Sequence, residues 1–193
     1  IKFEDPEKKF KSTFKESVLS STKKMFVILK TNRAYLHFEA GFMLYGFAWM
    51  ITAAAIPIFF SEVLDMNNKS YSFYKTAYNL IPIFILPYFG KLIGKIDPRR
   101  FAAITFAALA LHIFFLATTQ YWDWNIELWG FTIYASLIVS YTFYGVFAAT
   151  MALLWFIGSA YFCKKEEVGD YQAIHQSLTG LRALFFFFLG IAM

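Results

Sequence analysis

From Ala40 through Phe60 the sequence carries no charged side chain, and none occurs from Leu128 through Cys163. Runs of this length constrain the fold more than any other feature. About 20 mostly apolar residues rising 1.5 Å each cover the ~30 Å of hydrocarbon in a bilayer, and a backbone in lipid must satisfy its own hydrogen bonds. Hydrophobic residues are 59% of the chain and charged ones 16%, against about 25% charge in soluble domains. Lipid is therefore the solvent these runs fit. The sequence predicts an all-α polytopic transmembrane bundle, with spans at about 38–62, 71–90, 101–119, 128–157 and 171–193 behind a basic segment, 1–35.

The individual spans have distinguishing features. The second contains Asn79, Pro82 and Pro87, and its prolines predict a bend. The third holds His112 as its one titratable residue, read as a hydrogen-bonded packing residue. The charge-free fourth stretch would be about 54 Å long as one helix, too long for a straight crossing. It reads as a helix from about Trp129 to Trp155 followed by an interfacial segment. Asp170 is placed to cap the fifth span.

Lysine and arginine set the orientation. Fifteen of the 18 fall within 1–33, 91–100 and 164–165, on one side of the alternating spans, whereas Lys69 and Lys75 fall on the other, beside Glu62, Asp65, Asp123 and Glu127. The first side is expected in the cytoplasm. In 1–33, Phe10, Phe14 and Val18 recur at helical spacing among lysines, and Phe26 and Leu29 continue the pattern. This fits either a basic amphipathic helix on the inner leaflet or an unstructured linker. The net charge of +5 belongs to loops beside apolar spans and does not describe a nucleic-acid face.

Several chemistries find no support. One cysteine, Cys163, excludes an internal disulfide and a Cys-rich metal site. Gly-rich nucleotide loops, zinc-like histidine spacing and a nucleophile elbow are absent, so no cofactor or metal is expected. The chain starts at Ile1 without a signal-peptide layout and stops within an apolar run, which reads as a fragment.

Gly90-Lys91-Leu92-Ile93-Gly94-Lys95-Ile96-Asp97-Pro98-Arg99-Arg100 resembles the signature cytoplasmic loop of the major facilitator superfamily. Gly90, Leu92, Lys95, Arg99 and Arg100 match; Gly94 stands at the acid position and Asp97 at the later glycine position. Gly145–Trp155, Gly158 and the run Gln172–Arg182 look like a bacterial branch carrying Trp-x-x-Gly before a loop and Thr-Gly-x-Arg after it. The resemblance covers essentially the whole chain. It implies the C-terminal half of a twelve-helix transporter, spans seven to eleven, in a bacterial inner membrane. It further implies a small-molecule substrate, alternating access, coupling to protons or sodium, and a partner N-terminal half. Gly90, Lys95, Asp97, Arg99 and Arg100 would form the cytoplasmic gating loop.

Among candidate substrate or coupling residues, Arg182 ranks first. A guanidinium inside a span costs roughly 2.5–3.5 kcal/mol even on the lenient insertion scale, so a partner or a wet cavity must offset it. Helical spacing places Gln172, His175, Gln176, Thr179 and Arg182 along one face. Arg182 reads either as an anion clamp or as a tie between helix ends through carbonyls and a neighbouring acid. Glu39 reads as a proton-coupling acid or as an interfacial acid paired with Arg33 or a loop lysine. His175 could share a proton with substrate or with Glu39. Asn79, Tyr144 and Trp155, together with Tyr141, are cavity-lining candidates.

Three functions compete: a secondary active transporter, a membrane-integral transferase, and a non-transporting scaffold or receptor. The transferase would need clustered acids, bases or metal ligands, whereas His37, His112 and His175 fall on different spans.

Overall fold

The computed structural model describes residues 13–122 and 124–192; Lys2–Lys11, Phe10 and Asp123, used above, lie outside them. Helix α1 runs over Phe14–Thr31 and α2 over Arg33–Ile58, continuing as a π turn through Val63. Next come α3, Asn68–Ala77, α4, Leu80–Ile93, and α5, Pro98–Thr118. Strands β1, Asn125–Leu128, and β2, Phe131–Tyr134, precede α6, Ala135–Ile157. A 3₁₀ stretch, Gly158–Phe162, and a single 3₁₀ turn, Lys165–Glu167, lead into α7, Val168–Ala192.

Among the described residues, four segments are long and apolar enough to cross a membrane: Arg33–Val63, Asn68–Ile93, Pro98–Tyr121 and Ala135–Phe162. Helix α7, with 25 residues, has the length to cross as well, but bears Asp170, Gln172, His175, Gln176 and Arg182. Large apolar side chains face outward along these helices; Leu44 is 72% exposed, Phe84 79% and Phe156 75%. In water such a surface would drive aggregation; in lipid it is a solvated face. The chain is a multi-pass membrane protein.

The bend in the second span falls at Tyr78–Asn79, between α3 and α4. Pro82 has no N–H to give the Tyr78 carbonyl, four residues back, and its ring crowds that carbonyl. The backbone tightens instead, with Asn79 N–H donating to Thr76 O at 3.1 Å and Ile81 N–H to Tyr78 O at 3.1 Å. The Asn79 amide donates to the carbonyls of Lys75 and Thr76 at 3.3 and 3.2 Å.

The fourth stretch departs from expectation. Residues 128–134 belong to an antiparallel hairpin, pairing Asn125 with Tyr134 and Leu128 with Phe131, and α6 starts at Ala135. Freedom from charge does not make a helix: this run is β-branched and aromatic around a two-residue turn. Trp129 and Gly130 both have positive φ, +51° and +77°, as a type I′ hairpin turn requires, and glycine meets that demand at little cost. Removing these residues from the span leaves a helix of one crossing. The edge of β2 docks on α3: Thr132 N–H donates to Ser70 Oγ at 2.9 Å and Tyr134 N–H to Tyr74 Oη at 2.7 Å. Lys69 donates to Trp129 O at 3.0 Å.

Between the helices, apolar burial is no driving force when lipid is equally apolar; packing and interhelical hydrogen bonds hold the bundle. Helices α5 and α6 are clipped together by Ser136 Oγ to Thr119 Oγ1 at 2.9 Å and by Ser140 Oγ to His112 O at 2.8 Å. The core has two layers. One gathers Tyr35, Phe38, Phe42, Phe101, Phe147, Leu154 and Tyr171. The other, beside the hairpin, gathers Ile56, Phe60, Tyr74, Leu116, Leu137 and Tyr141. At the first end, Asn32 donates to Phe162 O at 2.8 Å, and Lys24 pairs with Asp170 at 2.6 Å. The lysine-rich junctions therefore meet at one end and the hairpin sits at the other.

Candidate functional site

A column of buried polar side chains stands between α2 and α7. Glu39 is 2% exposed and His175 fully buried, on facing turns of the two helices. His175 Nδ1 lies 3.1 Å from both carboxylate oxygens of Glu39. Rings close around the imidazole: Phe42 at 4.8 Å, Trp155 at 5.1 Å, both edge-on, and Phe38 at 6.3 Å. Among the described residues, Nε2 of His175 is buried without a hydrogen-bond partner. Glu39 thus pairs with His175 across the bundle. The expected partner Arg33 stands at the exposed start of α2, six residues before Glu39.

Two turns further along α7, Arg182 lies against α2. Its Nη1 donates to Phe42 O at 2.9 Å, its Cζ sits 5.8 Å over the Tyr45 ring, and its Nε has no partner. Gly46 makes this approach possible, because a Cβ there would overlap the guanidinium. Of the two readings of Arg182, the carbonyl contact is present and the neighbouring acid is not: among the described residues no carboxylate reaches ion-pair distance of it. Gly46 is 13 residues into α2, about 20 Å from its start and close to the middle of that helix. Its part in the column was not anticipated; a glycine within an apolar run gives no signal until the arginine opposite it is known.

The polar face of α7 divides in space. His175 and Arg182 point into the bundle, Gln172 and Thr179 are half-buried, and Gln176 is exposed. Gln172 donates to Trp155 O at 3.1 Å, tying α7 to the end of α6. Asn79 is exposed and occupied with the carbonyls of its own helix break. Tyr144 stacks on Trp49 at 5.5 Å and stands 4.8 Å from His112, in the hairpin-side layer away from Glu39.

The turn between α4 and α5 is built by Asp97 and Pro98. Asp97 caps α5, accepting from Arg99 N–H at 2.8 Å, and Pro98 occupies the first turn, where no N–H is needed. The Arg99 guanidinium bridges both Asp97 oxygens, at 2.7 Å for the shorter contact. This pairing holds the Asp97 carboxyl down at about 2. Gly90, Lys95 and Arg100 are exposed around it.

A sequence-family comparison matches the description Major Facilitator Superfamily over residues 3–193. The chain belongs to the Major Facilitator Superfamily. No curated protein and no solved structure matched it. Membership makes this chain a membrane transporter, in a family of transporters rather than enzymes.

Proposed function

We propose that this chain is the C-terminal half of a secondary active transporter, moving a small solute by alternating access and coupled to protons. The observation that carries the proposal is the column Glu39–His175–Arg182. Intramembrane ionisable groups are costly and functional by default, and transporter sites lie near the bilayer midplane at the interface of two halves. Arg182 stands at that depth with a donor uncommitted. Glu39 and His175 lie two turns nearer the cytoplasm, in contact with each other.

The chemistry follows from net charge. A carboxylate bonded to a neutral imidazole carries one negative charge; one added proton removes it. In a dry bundle this change alters the balance between a closed state and one open to water, because only the open state hydrates the charge. Arg182 would hold an anionic group of the solute, or a carboxylate of the opposite half. Gln172, Thr179 and Trp155 line the approach, and Asp97, Arg99, Arg100, Lys95 and Gly90 form the cytoplasmic gate. A bacterial inner membrane is the expected setting.

The test uses the full-length protein in vesicles with an imposed pH gradient. Glu39→Gln keeps the shape and a hydrogen bond but cannot take up the coupling proton. Expected is loss of gradient-driven accumulation, with solute exchange at equal pH retained. Full accumulation in Glu39→Gln would remove the pair from the coupling mechanism.

A further inference from the structure

On the hairpin side of the column lies a partly enclosed pocket of about 150 Å³, lined by Trp49 of α2, Lys75 and Tyr78 of the α3–α4 span, His112 of α5, and Tyr141 and Tyr144 of α6. We infer that this pocket binds a small planar organic anion, one ring bearing one carboxylate. The inference rests on the transporter reading for its role as the solute subsite, but the binding itself stands on the pocket.

Size comes first. Drug-sized ligands occupy roughly 300–1,000 Å³, whereas an apolar cavity of roughly 150 Å³ takes up one benzene ring. The walls are flat aromatic faces: Tyr78 meets Tyr144 edge-on at 4.5 Å, and Trp49 stacks on Tyr144 at 5.5 Å. Such walls favour a planar guest through stacking.

An aromatic cage alone would suit a cation as well. Lys75 decides against that. It is exposed on the outer half of its span, its Nζ lies 5.3 Å over the Tyr71 ring, and it forms no ion pair among the described residues. Its ammonium repels a second cation and supplies the counter-charge for an anion. Tyr71, Tyr78, Tyr141 and Tyr144 all line the pocket, and a phenol hydroxyl is a donor to a carboxylate.

His112 completes the polarity at the inner wall. His112 Nδ1 lies 3.1 Å from the Ser140 carbonyl oxygen, which can only accept, so Nδ1 carries the proton and donates there. The neutral ring is thereby fixed with Nε2 as an acceptor. A ring with its carboxylate toward Lys75 sets its far edge against His112.

The probe is benzoate, measured by equilibrium dialysis with the full-length protein in detergent. Expected is saturable benzoate binding, competition about tenfold weaker from puckered cyclohexanecarboxylate, and none from benzylammonium. Lys75→Met should weaken benzoate binding about tenfold or more, and Lys75→Arg should restore it. Benzoate should also protect Lys75 of the wild-type protein from amine acylation, a readout that needs no variant to fold. Absence of saturable benzoate binding, equal competition by benzylammonium, or no protection of Lys75 would overturn the inference. If benzoate binds as expected yet no solute is moved in vesicles, the transporter reading fails and the pocket assignment stands. If benzoate binds as expected but a transported solute does not compete with it, the pocket's role as the solute subsite is overturned and the transporter reading stands.

Discussion

Arg182 and Gly46 show how much one missing side chain can decide. A glycine inside a helix normally costs about 0.5–1 kcal/mol relative to alanine, so Gly46→Ala would stabilise α2 considered alone. The guanidinium occupies the space a Cβ would need, and its hydrogen bond to Phe42 O is of a charge-assisted kind contributing about 1.5–3 kcal/mol. The lost bond outweighs the helix gain, giving a net destabilisation of about 1–2 kcal/mol. Detergent-denaturation midpoints check the sign. The pair Gly46→Ala and Arg182→Ala should be non-additive, because each removes the same contact; full additivity would mean that the two residues act independently.

At the scale of elements, the hairpin and α3 act as one body. Four side chains of the Asn67–Tyr74 stretch bind the β1–β2 unit: Asn67, Lys69, Ser70 and Tyr74. The same stretch is separated from α4 by the proline-induced break. Motion at Tyr78–Asn79 would therefore carry the hairpin along with α3. Removing the Tyr74 hydroxyl tests the attachment. In Tyr74→Phe the Tyr134 N–H loses its bond to the Tyr74 hydroxyl, at a cost of about 0.5–1.5 kcal/mol for a hydrogen bond of this kind. Amide exchange at Thr132 and Tyr134 should speed up together while α5 and α6 stay protected. Unchanged exchange at these two amides would show that the hairpin holds without α3.

For the whole molecule, orientation is the property on which function depends. Cys163, the single cysteine, sits at the lysine-rich end beside Lys164 and is half-buried. It serves as a native reporter of sidedness. An impermeant maleimide should leave it unlabelled in intact cells and label it in inverted vesicles. Burial, with Glu167 and Asp170 nearby, pushes the thiol up, so the thiolate is scarce at neutral pH and labelling should accelerate as pH rises. Labelling from outside intact cells would invert the topology and place the Asp97–Arg99 turn on the wrong side for a cytoplasmic gate.

Much of this architecture was legible in the residues because its causes are local. Long uncharged runs require lipid, Pro82 breaks the helix four residues back, Asp97-Pro98 starts α5, and lysine asymmetry separates the two ends. The hairpin has a local signal as well, Trp129-Gly130 between β-branched and aromatic residues, but the same run is free of charge and so equally fits the start of a spanning helix. Contacts between distant residues were not legible. Helical spacing put Gln176 and His175 on one polar face, yet only packing against α2 and α6 turned His175 inward and left Gln176 exposed. The partner of Glu39 is 136 residues away in sequence, and the glycine that admits Arg182 is as remote. Solvent preference is written along the chain because each residue meets lipid or water on its own; pairing of buried charges is not, because it exists only once two helices have docked.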